Sequence, residues 1–398
     1  MNRLLVIDFI MEHLDNWEDI LKGEPYFLEI KWKDNYVLLK YNQISSDFSN
    51  PIVKECRGLI LKKVLSSWVN LQMTGISYEP VAVPFYKFFN AEEPNANSDL
   101  QKIIDNSKYG LFVTEKVDGA LIKVWYDSGK WHVSTSGNID ASDARLQADT
   151  TDLQEHIISL GLKSYYDLFL VAKENSNLNY DVLDKAKTYI FELVSPYNRI
   201  VVRYQDTKLI HIGTRNNFTM KEEETDILVE KPPKFMTNDI SEIIEYAKKL
   251  QIKDNANYEG FVVYDKEYNR VKIKSPKYLE LHYLKSNGLY PVRKILEILI
   301  KNEQEELLAY FPEFKGDFGK VEALYKAYIE RTWGELASVD MSLDRKSYAE
   351  IAKGFTNSHI AFKAHSLHER GIELTKDWVV DEINKIRVEY LEVMIGGK

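Results

Sequence analysis

An α+β domain built on antiparallel sheets, followed by an all-helical domain, is what this chain of 398 residues predicts. Short apolar runs rich in β-branched and aromatic residues, bounded by Gly, Asn and Asp, recur between Tyr26 and Lys274. Helical passages are interspersed among them, the arrangement of an α+β domain. Beyond Pro276 the strand signature stops, and apolar residues recur at helical spacing to the C-terminus. A chain of this length exceeds what one core usually holds, so two domains are expected, 1–280 and 281–398.

The elements follow in order. Leu5, Phe9, Ile10 and Leu14 have the spacing of a helix over residues 1–24, stopped near Gly23 and Pro25. Strands at 26–30 and 36–41 flank Lys33, Asp34 and Asn35, a hairpin turn. Further strands are expected at 58–61, 110–113, 121–126, 189–194, 209–212, 260–264 and 270–274, with a longer helical passage at 144–174. Helices are expected at 291–301, 318–337, 348–363 and 374–394, separated by Gly-, Pro- or Ser-containing breaks. No internal repeat or low-complexity tract interrupts the pattern, so a regulatory tail is not expected.

Composition narrows the function. The single cysteine, Cys56, excludes an intramolecular disulfide and a multi-cysteine zinc site. No apolar run has membrane-spanning length, and the N-terminus breaks into acid at Asp8, so a cytoplasmic protein without a membrane anchor is expected. The net charge of −9 means that an anionic ligand must be met by a focused cluster of cations. No Gly-x-x-x-x-Gly-Lys-Ser/Thr loop and no Gly-x-Ser-x-Gly elbow occurs.

Charged residues inside apolar strands are the chemical signal. Lys116 and Asp118 stand two apart and are followed by Gly119. In an extended segment both reach one side, while Gly119 allows a sharp turn or a close backbone approach. This is the layout of a nucleophilic lysine, and equally that of a surface turn. Glu192 interrupts the apolar run 189–194, and Glu259 precedes the strand that begins at Gly260. Lys272 and Lys274 share one face of their strand, with Val271 and Ile273 on the other. Two adjacent ammonium groups repel unless an anion lies between them, and phosphate is a natural candidate.

Taken in order, these fragments resemble the covalent nucleotidyltransferases, and within them the phage RNA ligase 1 family. Arg57-Gly58, the Lys87-Phe88-Phe89-Asn90 element, Glu115-Lys116-Val117-Asp118-Gly119, Phe191-Glu192 with Pro196, Asn198 and Arg199 beyond it, Glu259-Gly260, and Lys272 through Tyr278 are similar to that family's motifs. The resemblance covers about 50–285 and implies an ATP-grasp-like ligase (nucleotidyltransferase) domain.

It further implies an ATP-dependent RNA ligase. Lys116 would attack the α-phosphorus of ATP, AMP would pass to an RNA 5′-phosphate, and a 3′-hydroxyl would displace it. Arg57, Lys87, Glu115, Gly119, Glu192, Glu259, Lys272 and Lys274 would line the nucleotide site with Lys116. Asp118 and Glu259 would hold Mg²⁺, which Mn²⁺ can replace. Phe89 and Tyr278 would support the site, and Phe191 or another aromatic would stack on adenine. The implied partner is RNA, single-stranded or a nicked tRNA in RNA repair, and the enzyme a monomer.

The chain departs from the family at Ser134-Thr135-Ser136-Gly137, where a basic residue commonly precedes the glycine. That contact is absent, or supplied by Lys123 or Arg145. DNA ligases and mRNA guanylyltransferases usually carry an OB-fold after the paired lysines, which the helical pattern disfavours. A non-catalytic nucleic-acid-binding relative would have lost catalytic positions, and all are present. His359, His365 and His368 match no zinc spacing and are assigned no role.

Overall fold

The apolar runs of the first part of the chain become three four-stranded sheets with antiparallel neighbours throughout. The computed structural model describes residues 4–43, 45–65, 68–69, 72–73, 75–146, 151–198, 200–202, 204–249, 258–276, 278–279, 292–310 and 314–396. Arg199 and the expected domain boundary at 280 lie outside them. The chain divides into two units, Met1–His282 and Tyr283–Lys398.

Two helices, α1 (Leu5–Glu12) and α2 (Trp17–Lys22), stand where one was expected. The strands β1 (Leu28–Lys33) and β2 (Tyr36–Tyr41) form a hairpin with Asp34 at φ 54°, a conformation aspartate tolerates. After α3 (Pro51–Glu55) comes β3 (Arg57–Leu65), then a small ribbon of β4 (Trp68–Val69) and β5 (Gln72–Met73), then β6 (Ile76–Ala82). The first sheet has the order β1-β2-β3-β6. Its β2 is apolar without alternation because both faces are covered. Val37 and Leu39 pack with α1 and α2, while Tyr36 and Leu38 pack with Trp125.

After α4 (Asn97–Asn106) the chain forms β7 (Leu111–Lys116), β8 (Ala120–Asp127) and β9 (Lys130–Thr135). The helical passage expected at 144–174 is broken into α5 (Thr151–Ser159) and α6 (Tyr165–Asn175). Gly161, at φ 72°, and the capping box of Ser164 with Asp167 account for the stop and the new start. The remaining strands are β10 (Lys187–Val194), β11 (Lys208–Asn216), β12 (Lys234–Thr237), β13 (Gly260–Tyr264) and β14 (Arg270–Lys274), with α7 (Ile240–Lys249) before β13. They complete a second sheet, β11-β10-β8-β9, and a third, β12-β7-β13-β14. Consecutive strands β7 and β8 therefore lie in different sheets, and residues 117–119 are the crossing between them.

Each sheet is tied to another through its apolar face. Val113, Val263, Val271 and Ile273 of the third sheet share a core with Leu39 and Leu59 of the first. The second sheet packs Ile122 and Phe191 against Leu168 and Phe169 of α6. Trp125 is fully buried, with its indole N–H donating to Ser134 Oγ at 3.1 Å. Truncating such a side chain to alanine costs about 3–5 kcal/mol.

The C-terminal unit is helical among its described residues: Val292–Ile300, Gln304–Tyr310, Lys315–Ser338, Arg345–Ala352, Ser358–His368, Lys376–Asn384 and Val388–Met394. The helix expected at 348–363 is two, the second opened by an Asn357 cap that accepts from Ile360 N. The one expected at 374–394 is also two, opened by Thr375. His365 is buried, with Nε2 at 2.9 Å from Leu343 O and its ring 4.2 Å from that of Tyr348, the setting of a core histidine. Among the described residues no helix is long and apolar enough to cross a membrane.

Candidate active site

The third sheet builds one half of the site. Gly260 pairs with Lys116 on one side and Lys274 on the other, so the two lysines flank a glycine in one row across three strands. Only glycine fits there: at φ 145°, a Cβ on Gly260 would lie 2.1 Å from Ile273 O. Glu259 precedes it, 4 % exposed, with Oε2 2.7 Å from Lys116 Nζ and Oε1 3.5 Å from Lys274 Nζ. A carboxylate thus sits between the two ammonium groups. Lys272 lies on the same face of β14 as Lys274, while Val271 and Ile273 are buried behind them. Its strand is held by the segment carrying Phe89: Lys272 N donates to Phe89 O at 2.8 Å, and Ala91 N donates to Lys272 O at 2.9 Å.

The second sheet supplies Glu192. The crossing at 117–119 is pressed against β10, where a Cβ on Gly119 would lie 2.5 Å from Leu193 O and 3.1 Å from Glu192 Cγ. Gly119 is required by this approach of protein backbone. Glu192 is pushed up to about 7, chiefly by burial; Lys116 and Arg57 pull it down, and Glu259 and Asp118 push it up. Lys116, Glu259, Arg57 and Asp118 are thus near enough for the Glu192 carboxylate to feel their charges.

Asp118 faces inward. It is 4 % exposed; Oδ1 accepts from Tyr278 Oη at 2.9 Å, and Oδ2 accepts from Val201 N at 2.9 Å and Val202 N at 2.8 Å. Its own N–H donates to Tyr204 Oη at 3.3 Å. Burial raises the Tyr204 hydroxyl well above its ordinary range, which keeps it protonated. Tyr204 and the backbone at 201–202 hold Asp118 and have no role assigned from the sequence, where their signal is the extension beyond Pro196.

Other expected residues take different places. Phe191 is fully buried in the α6-facing core, on the strand face opposite Glu192, so its ring is not available to stack on adenine. Glu115 lies on the face of β7 opposite Lys116, and burial raises its carboxyl first, then Glu230. Lys87 Nζ lies 5.0, 4.5 and 5.4 Å from the ring centres of Tyr41, Phe48 and Phe89, and 3.4 Å from Gln43 Oε1. Arg57 rests 4.8 Å from the Phe88 ring, and its Nη1 is buried without a hydrogen-bond partner among the described residues. Lys123 cannot replace the missing basic contact, because it is fully buried with its ammonium on Gly58 O. Arg145 is exposed beside Ser164.

No group of three or more His, Cys, Asp or Glu among the described residues is placed to hold a metal ion. Glu259 is the carboxylate that fits a cation shared with phosphate oxygens and water, a donor set suited to Mg²⁺. Both oxygens of Asp118 are already engaged.

Comparison with known proteins gives this constellation a family. The model of an RNA ligase family matches residues 55–278, a stretch containing every candidate from Arg57 to Tyr278. A protein of Autographa californica nuclear polyhedrosis virus, described as a bifunctional polynucleotide kinase/RNA ligase, is 32% identical over 286 residues, 70% of this chain. The match spans 38% of that relative's length. An RNA ligase of Rhodothermus phage RM378 is 27% identical over 358 residues, 77% of this chain and 78% of that protein. An archaeal ATP-dependent RNA ligase of known structure aligns over 92% of this chain and 84% of its own, at 11% identity and a TM-score of 0.37. On the sequence match alone, the chain belongs to the RNA ligase family, of the phage RNA ligase 1 type.

Proposed function

We propose that this protein is an ATP-dependent RNA ligase that works through a lysyl-AMP intermediate. The observation that carries the reading is the row Lys116, Gly260 and Lys274, with the Glu259 carboxylate held between the two ammonium groups. Lys116 Nζ attacks the α-phosphorus of ATP, the bond to the bridging oxygen breaks, and pyrophosphate leaves. The amine must first lose a proton, for which Glu259 Oε2 at 2.7 Å is the positioned acceptor. Lys272 and Lys274 neutralise charge on the phosphates. Glu192 accepts hydroxyls of the ribose, and Arg57 meets phosphate. A divalent cation, Mg²⁺ or Mn²⁺, held by Glu259 with phosphate oxygens, would supply further charge neutralisation. Asp118 is better read as a support than as a cation ligand, since three protein donors already occupy it.

AMP then passes from Lys116 to the 5′-phosphate of RNA, restoring the lysine. Attack by a 3′-hydroxyl on that phosphate joins the ends and releases AMP. Single-stranded RNA ends, including those of a nicked tRNA, are the substrate of this reading, and the enzyme works as a monomer.

The test is incubation of AMP-free protein with α-labelled ATP and Mg²⁺, followed by denaturing electrophoresis. Wild type is expected to keep the label and Lys116→Ala to lose it. A wild type that stays unlabelled across metals and pH sinks the mechanism. Sealing of 5′-phosphorylated single-stranded RNA is expected to exceed that of DNA of the same sequence, and preference for nicked duplex DNA would overturn the RNA assignment.

A further inference from the structure

We propose that Lys123 is a positioning residue, which clamps the Gly58 carbonyl so that the neighbouring Arg57 guanidinium is presented to its anionic ligand. The proposal rests on the reading of Arg57 as a phosphate contact in the adenylylation reaction.

Lys123 lies in the middle of β8, fully buried, and its ammonium donates to the carbonyl of Gly58, 65 residues away in sequence. Burying a lysine against one neutral carbonyl is expensive, and burial alone lowers its proton affinity. Such a cost is hard to explain as packing, since an apolar side chain would fill the space without it. What it secures is a point that only glycine can occupy. Gly58 has φ 84°, and a Cβ there would lie 2.4 Å from Ser136 O. The glycine is therefore held between Lys123 on its carbonyl and the backbone of the 135–138 turn.

That turn is itself anchored. Thr135 Oγ1 accepts from Gly137 N at 3.3 Å and Asn138 N at 3.1 Å, and Lys31 Nζ donates to Gly137 O at 2.8 Å. Arg57 leads directly into this clamp. Its guanidinium lies over Phe88, leaves Nη1 buried and unpartnered among the described residues, and acts on Glu192. A buried guanidinium N–H without an acceptor is costly unless a ligand completes it. Fixing the Arg57 backbone holds that donor ready for an anion beside Glu192.

The test is single-turnover self-adenylylation of the full chain over a range of ATP concentrations. It compares wild type, Arg57→Ala, Lys123→Met, Lys123→Gln and the Arg57→Ala/Lys123→Met double variant. Lys123→Met, which keeps the length and loses the donor, is expected to raise the ATP concentration for half-maximal rate by about ten- to hundredfold. Lys123→Gln, which keeps an N–H donor, should recover part of the loss, and the double variant should be no worse than Arg57→Ala. A folded Lys123→Met with wild-type kinetics overturns the clamp, as does a double variant whose losses multiply. Should Lys123→Met fail to fold, Lys123→Gln with and without Arg57 decides the matter: a loss that persists undiminished without Arg57 overturns it. A wild type that never takes label sinks the adenylylation reading itself; one that labels, with Lys123→Met indistinguishable from it, sinks only the clamp.

Discussion

Glu259 and Asp118 are carboxylates buried to the same degree, each 4 % exposed, yet they keep opposite company. Glu259 is shared by the ammonium groups of Lys116 and Lys274, whose side chains are 23% and 13% exposed and can be drawn toward an incoming phosphate. Asp118 is met by two backbone N–H groups and a buried tyrosine hydroxyl, none of which can follow a ligand. Burial alone therefore does not separate chemistry from scaffold. The mobility and charge of the partners do.

The largest expected effect comes from Glu259→Gln. It removes the charge between the lysines and should slow self-adenylylation by about a hundred- to thousandfold. Stability should change little, because Lys116 and Lys274 can turn toward solvent. Asp118→Ala should show the reverse emphasis: it strands Val201 N, Val202 N and the Tyr278 hydroxyl, at a cost of about 3 kcal/mol or more. Asp118→Asn should keep most of that stability, since the amide can accept from the backbone pair and donate to Tyr278. Thermal melts alongside labelling rates decide; a Glu259→Gln that melts as low as Asp118→Ala would erase the contrast.

Next in size is a pH effect at Lys123, a buried charge facing a neutral partner, as Asp118 is. Burial pushes its ammonium down to about 7 in the folded protein. An unfolded lysine holds its proton to about 10.4, so between these values the unfolded state binds more protons and stability rises with pH. Below about 7 both states are protonated, and the stabilisation of the neutral form is absent. Chemical denaturation of wild type and Lys123→Met across pH 7 to 10 should therefore give a difference that widens in favour of wild type. A constant difference would place the Lys123 charge in contact with water.

The comparison also marks where sequence reasoning reached. Lys116, Glu192, Lys272 and Lys274 are legible because each is a charge in an apolar strand, where alternation fixes its side, and Glu259 because it stands immediately before one. Alternation does not state what holds Asp118, because β7 ends at Lys116 and the next three residues cross to another sheet. No local pattern states which sheet a strand joins. The same gap misplaced Phe191, whose β10 neighbours bury it under α6. Strand β6 was unread because Glu79 and Pro80 break its apolar pattern, and β9 because Lys130, His132 and Ser134 dilute it. Lys123 looked available for phosphate because sequence shows a cation's charge and not the carbonyl that holds it. The helical breaks at Gly161 and Asn357 carried local signals, a glycine and a cap, that outweigh continuous periodicity.

The smallest effect tests whether the Asp118 cluster is scaffold alone. Tyr278→Phe removes one donor from Oδ1 while leaving the two backbone donors on Oδ2 and the ring in place. The loss should be about 1–2 kcal/mol, since one charged hydrogen bond is removed and little volume changes. In the Asp118→Ala background the same substitution should cost almost nothing, because its acceptor is already gone. Labelling and sealing rates of folded Tyr278→Phe should then track its small loss of stability. Lys274 Nζ lies 5.6 Å from the Tyr278 ring, however, so a direct route from the tyrosine to the reacting groups exists. If Tyr278→Phe slows sealing tenfold or more while its melt barely moves, the hydroxyl acts on the lysine side as well, and Asp118 with its partners belongs to the chemistry it was contrasted with.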